Sequence, residues 1–135
     1  MVQWSDKFTT GSDTLDYQHQ TLIDNINQLE KLLLLSHPTR EDYEYIIQMV
    51  DFLEFYAHAH FKTEEQCMEA FRCPAHAQNK QVHADFMRFF SEFKTHNRAK
   101  GFPREIVEEL HAVASRWIVE HILQVDTQLR PCMKG

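Results

Sequence analysis

The sequence predicts an all-α fold, an up-down-up-down antiparallel four-helix bundle preceded by an N-terminal arm. Three observations lead there. Apolar residues recur at alternating steps of four and three along four separate stretches, which is the spacing of a bundle core. Pro38, Pro74, Pro103 and Pro131 all fall between or after those stretches. No stretch shows a useful length of strand-like alternation, and neither internal repeats nor low-complexity segments are visible. Short connections then favour antiparallel neighbours.

Residues 1–11 read as an arm with Trp4 and Phe8 as anchors. A first helix is expected from about Ser12 to Leu35, with the seam Leu15, His19, Leu22, Ile26, Leu29 and Leu33. Ser36-His37-Pro38 ends it, since proline restricts its own residue and the one before. Thr39 to Asp42 makes an N-terminal cap for a second helix reaching about Phe71. Its seam reads Ile46, Val50, Leu53, Ala57, His60, Glu64, Cys67 and Phe71. Pro74 is placed at the first position of a third helix, running to about Arg98. The third seam is His76, Asn79, His83, Phe86, Phe90 and Phe93. Gly101 and Pro103 mark the next break, and Glu105, Glu108 and Glu109 suit the positive end of a fourth helix. That helix presents Leu110, Val113, Trp117, His121 and Gln124 on one face, and Pro131 is expected to close it.

Composition narrows the function. A chain of 135 residues suits one domain better than two. A formal net charge of −6 without a basic stripe argues against nucleic acid and against anionic membrane surfaces. No apolar run approaches a membrane span and no secretory h-region is visible at the start. Cys67, Cys73 and Cys132 form no C-x-x-C pair, and an odd count fits reduced thiols in a cytoplasm. No catalytic triad, phosphate loop or paired catalytic acid stands out, so a binding role is expected rather than an enzymatic one. The compositional outlier is histidine, with 9 residues.

Each expected helix carries a metal-capable residue on its seam: His19, then His60 with Glu64, then His83, then His121. His60 and Glu64 lie four residues apart and so stack on one helical face. An unpartnered carboxylate in a core is costly and calls for pairing or a metal. Asp126 follows His121 by five residues, about 140° around the helix, and can still reach a bundle centre. Single core histidines are usually packing residues. Histidines on all four seams together with two acids favour a metal site, and mixed imidazole and carboxylate ligands suit iron, manganese or zinc. Glu65 lies about 100° around from Glu64 and off the seam. His58 should face away from His60, and His37, His96 and His111 fit no ligand spacing. Glu108 and His111 make an isolated Glu-x-x-His pair, where ferritin-like centres need two.

The segments Asp16-Tyr17-Gln18-His19-Gln20, His60-Phe61-Lys62-Thr63-Glu64-Glu65, His83-Ala84-Asp85-Phe86 and Trp117 to Asp126 resemble, in order, the motifs of the hemerythrin family. The resemblance covers nearly the whole chain. It implies an oxo- or hydroxo-bridged pair of non-haem iron ions inside a four-helix bundle, with O2 or small anions as added ligands. By the resemblance Glu64 and Asp126 bridge the irons, His19 and His60 hold one, and His83 and His121 hold the other. It also implies that residues such as Trp117, Ile118 and Ile122 wall a dry O2 pocket, although packing explains them as well.

The family usually has a further histidine four residues before the one matching His83, where this chain has Asn79. His76 is a candidate substitute, but it lies about 10 Å along the axis from His83 and its side chain leans the other way. Asn79 can stay off the metal, contact it through oxygen, or hydrogen-bond an iron-bound water. Two irons with two histidines each would both be open to ligands. That favours an oxygen or redox sensor over a carrier or store for O2 or iron. The resemblance further implies a free-standing domain, 1–135, or one domain of a longer signalling protein with a diguanylate cyclase or chemoreceptor as output.

Overall fold

The computed structural model describes residues 2–101 and 103–134, and within them all side chains except those at 125–127, 133 and 134. Four helices dominate: α1 (Asp13–Leu33), α2 (Arg40–Ala70), α3 (His76–Asn97) and α4 (Arg104–Lys134). α1 packs against α2 and α4, and α2 against α3, closing the expected antiparallel bundle. Among the described residues there is no strand, and no helix is long and apolar enough to cross a membrane.

Local chemistry sets the boundaries. Ser12 caps α1 by accepting from the Leu15 amide. Thr39 and Asp42 form a reciprocal capping box on α2, a feature that contributes about 1 kcal/mol. Arg104 donates to the carbonyls of Leu33 and Leu35, so the start of α4 satisfies the frayed end of α1. Gly101, at φ 72°, supplies the left-handed turn after α3. The arm is strapped down at both ends. Asn27 pairs with the backbone of Val2 at 3.1 and 2.8 Å, and Asp16 accepts from the amide and hydroxyl of Thr10 at 2.8 and 2.9 Å. Phe8 is buried and Trp4 packs on the same cluster, as expected of anchors.

Three details differ from the sequence expectation. Pro74 lies in the α2–α3 turn rather than in α3, which begins two residues later. Arg72 adopts the left-handed conformation there (φ 54°), so a non-glycine residue turns the chain. Pro131 does not close α4 but sits within its last turn. That turn is held by buried Leu129 and by a disulfide between Cys132 and Cys73, offsetting the missing backbone donor. The disulfide also corrects the expectation of three reduced thiols, since of the three cysteines Cys67 alone stays outside a disulfide. Cys73 and Cys132 are 59 residues apart in sequence, and only the fold brings the α2–α3 turn beside the end of α4. The inference from cysteine count to a reducing compartment thereby loses its premise.

Along the bundle, the core falls into layers. Leu29, Leu33, Ile46, Met49 and Val107 fill one end. A central cluster includes Leu22, Leu53, Phe61, Phe86, Phe90, Leu110, Ile118 and Ile122. Leu15, Met68, Cys73 and Leu129 fill the other end. Between the last two lies a polar layer.

Candidate metal centre

The polar layer consists of His19 from α1, His60 and Glu64 from α2, His83 from α3 and His121 from α4, all buried. Each is there because its helix was already committed to burying that face. Glu64 stands one turn beyond His60, and the helices on either side bring their imidazoles to it. The side chain of Asp126 lies outside those described.

Glu64 is fully buried and organises the layer. Its Oε2 lies 3.3 Å from His19 Nε2 and 3.1 Å from His60 Nε2. Its Oε1 lies 3.0 Å from His83 Nε2 and 2.9 Å from His121 Nε2. The carboxylate thus divides the four imidazoles into two pairs, one per oxygen. His83 Nε2 and His121 Nε2 are themselves 3.0 Å apart, where one nitrogen at most can donate. His60 Nε2, despite its short approach to Glu64, is not aligned as a hydrogen bond.

These distances fit metal ligation better than hydrogen bonding. Ligand atoms about 2.1 Å from one ion and at right angles lie about 3 Å apart. Among the described residues two such groups occur, His19–His60–Glu64 and Glu64–His83–His121, with Glu64 in both. The protonation pattern fits as well. Burial alone would raise the Glu64 carboxyl, but the surrounding imidazoles of His121, His19, His60 and His83 hold it well below the usual carboxylate range. Burial pushes His60 down to about 4 against the pull of Glu64, and lowers His121 likewise. An ionised Glu64 beside His60 and His121 held toward the neutral form is the state that metal binding requires.

The neighbours of these side chains differ between the two pairs. His60 Nδ1 meets Gln18 Oε1 at 2.7 Å, which fixes its proton there and turns Nε2 toward Glu64. Nδ1 of His19, His83 and His121 is buried without a hydrogen-bond partner among the described residues. Phe61 stacks on His83 at 4.1 Å between ring centroids, and Trp117 stacks on His121 at 4.7 Å. Phe86 lies 4.1 Å from Trp117 behind them. Ile118 and Ile122 are buried on the same face of α4.

Asn79 is buried one turn from His83 but turned toward α4. Its Nδ2 donates to Gln128 Oε1 at 3.2 Å and to Met68 Sδ at 3.3 Å. Among the described residues, His76 joins neither ligand group. His58, His37 and His96 are exposed, whereas His111 is half-buried with Ser115 Oγ 3.4 Å from its ring.

Sequence reasoning did not single out Gln18, Phe61, Met68 or Gln128. Gln18 acts on a residue 42 positions away, and nothing local announces that. Phe61 and Met68 were recoverable. A seam stepped strictly in fours and threes selects Cys67, yet Cys67 lies about 60° to one side of Glu64 and Met68 only about 40° to the other. Met68 is accordingly the buried residue and Cys67 is intermediate.

Comparison with known proteins agrees with this geometry. Residues 10–133 match the family model described as the hemerythrin HHE cation binding domain. A bacteriohemerythrin of Stenotrophomonas maltophilia is 31% identical over 122 residues, covering 90% of this chain and 74% of that protein. A bacteriohemerythrin of Clostridium acetobutylicum is 28% identical over 95% of this chain and 98% of its own length. A myohemerythrin of Theromyzon tessulatum is 25% identical over 92% and 87% respectively. Four helices converging on one shared carboxylate, and a family match that spans nearly all of them, lead to one conclusion: this chain belongs to the hemerythrin HHE family.

Proposed function

We propose that the domain holds two non-haem iron ions, binds O2 there, and reports oxygen or redox state to a signalling output such as a diguanylate cyclase or chemoreceptor. The observation that carries the diiron reading is the division of Glu64, with one oxygen toward His19 and His60 and the other toward His83 and His121. In this reading Glu64 and Asp126 would each serve both ions, and each ion would be held by one imidazole pair. Bound there, the iron pair would supply reversible electron donation to O2.

The chain supplies the rest. Glu64 would offset part of the positive charge of the two ions from a fully buried position. Gln18 holds the proton of His60 on Nδ1 and leaves Nε2 free to ligate. The rings of Phe61 and Trp117, with Ile118 and Ile122, cover the imidazoles with apolar surface and exclude water. Asn79 leaves the His83–His121 ion with two imidazoles rather than three, and its amide nitrogen is turned to Gln128 and Met68. Both ions then offer open positions, which supports reactivity with O2 and small anions rather than long-term carriage. In this reading the domain works in the cytoplasm, where its output would act.

Iron quantification of the purified protein tests the proposal. Two irons per chain, in preference to zinc or manganese, are expected, and less than one iron per chain would contradict it. An O2 adduct stable for many minutes would instead favour a carrier or store.

A further inference from the structure

The two halves of the centre differ in what stands behind their histidines. His60 has a neutral amide, Gln18, at 2.7 Å from Nδ1. His83 has a carboxylate: Glu65 Oε2 lies 3.6 Å from its Nδ1. That distance is too long for a hydrogen bond, and His83 Nδ1 is a buried polar atom without one among the described residues. Glu65 lines a groove between α2 and α3 with Phe61, His83 and Met87, and exposed Lys62 and Lys80 stand at its edge. Its side chain is 21% exposed, free enough to shift by the few tenths of an ångström required.

We propose that Glu65 is a positioning residue for the iron held by His83 and His121, accepting the Nδ1 proton of His83 as a charge-assisted hydrogen bond. This rests on the diiron reading above. An imidazole that ligates through Nε2 must carry its proton on Nδ1. In His83 that nitrogen has the Glu65 carboxylate 3.6 Å away. The carboxylate fixes the ring against rotation on the Phe61 face and makes Nε2 a stronger donor to the metal. The same iron is the one that Asn79 deprives of a third imidazole. Glu65 therefore strengthens the donor that remains, and sets the potential of that iron below what two plain imidazoles would give.

The experiment compares iron-loaded wild type with Glu65→Ala and Glu65→Gln, and with Glu69→Gln as a charge control on the exposed face of α2. Chelator-driven iron release and the midpoint potentials of the two irons are measured. In Glu65→Ala one of the two irons should be held about 10–100-fold more weakly, the usual effect of losing such a partner. Glu65→Gln, which keeps a neutral acceptor, should recover much of the affinity. The potential of that one iron should rise in both variants, and Glu69→Gln should match wild type. Two irons with unchanged release and potentials in both Glu65 variants would overturn the role of Glu65 while leaving the diiron reading intact. A wild type holding fewer than two irons would overturn the reading itself, and the inference with it.

Discussion

Replacing Asn79 with histidine should act in opposite directions on the metal-free and the iron-loaded protein. Asn79 is 4% exposed and spends its amide on Gln128 and Met68. In the metal-free protein, Asn79→His removes the donor to Gln128, leaving a poorly satisfied carbonyl at a cost of about 1–3 kcal/mol. It also places a larger ring beside fully buried Met68, where overpacking costs about 1–3 kcal/mol more. A combined loss of about 2–6 kcal/mol corresponds to a fall in Tm of roughly 6–18 °C for a domain of this length. In the iron-loaded protein the new imidazole shares the helical face of His83 and can fill an open position on the same ion. The loss should then be recovered, autoxidation should slow, and affinity for azide should drop. Thermal melts with and without iron, and stopped-flow mixing of the reduced protein with O2, read these effects. Equal autoxidation rates and equal azide affinity in wild type and variant would refute the idea that position 79 governs reactivity.

Glu64→Ala should abolish the paired site, because each imidazole pair loses the oxygen it converges on; a variant that still holds two irons would exclude the bridging role. Removing iron should lower the melting temperature by well over a degree or two, since four imidazoles and a carboxylate then stay buried without the ions that join them, with His60 Nε2 lacking a hydrogen bond among the described residues. The metal-free protein should also lose stability as pH falls. His60 has a depressed pKa, about 4 against 6.5, so the unfolded chain takes up the proton first and stabilisation present above about 6.5 is lost on approaching 4. The loss is on the order of 3 kcal/mol, and denaturant titrations at pH 7 and 4.5 measure it. Reducing the Cys73–Cys132 bond, which closes a loop across 59 residues, should cost about 2–4 kcal/mol in unfolding free energy. An unchanged unfolding midpoint in Cys73→Ser would argue that the bond does not constrain the unfolded chain.

Much of this architecture was legible because the bundle's physics is local. Seam spacing located all four helices, and the caps at Ser12 and Thr39 and the turn at Gly101 set boundaries within two or three residues. The same spacing brought His19, His60, Glu64, His83 and His121 onto inward faces, because a polar residue in an apolar seam stands out. Where the reading drifted, the cause was angular. Centring the α4 face on His121 selected Val113 and Gln124, both exposed, and passed over Ala114, Ile118 and Ile122 as its midline. His121 lies toward one edge of that face. What depended on distant partners was not legible at all. The Cys73–Cys132 bond, the Gln18–His60 contact and the engagement of Asn79 by Gln128 all join residues far apart in sequence. The approach of Glu65 to His83 belongs with them, since helical geometry alone had set Glu65 aside.

The central claim is that Glu64 joins two irons in one O2-reactive unit. The most direct measurement is an optical spectrum of the fully reduced protein, taken anaerobically and again on admitting air, with iron counted in the same sample. The account predicts two irons per chain, a nearly colourless reduced form, and ligand-to-metal charge-transfer bands that appear with air and that Glu64→Ala does not produce. A spectrum unchanged by air in a sample holding two irons per chain would contradict it.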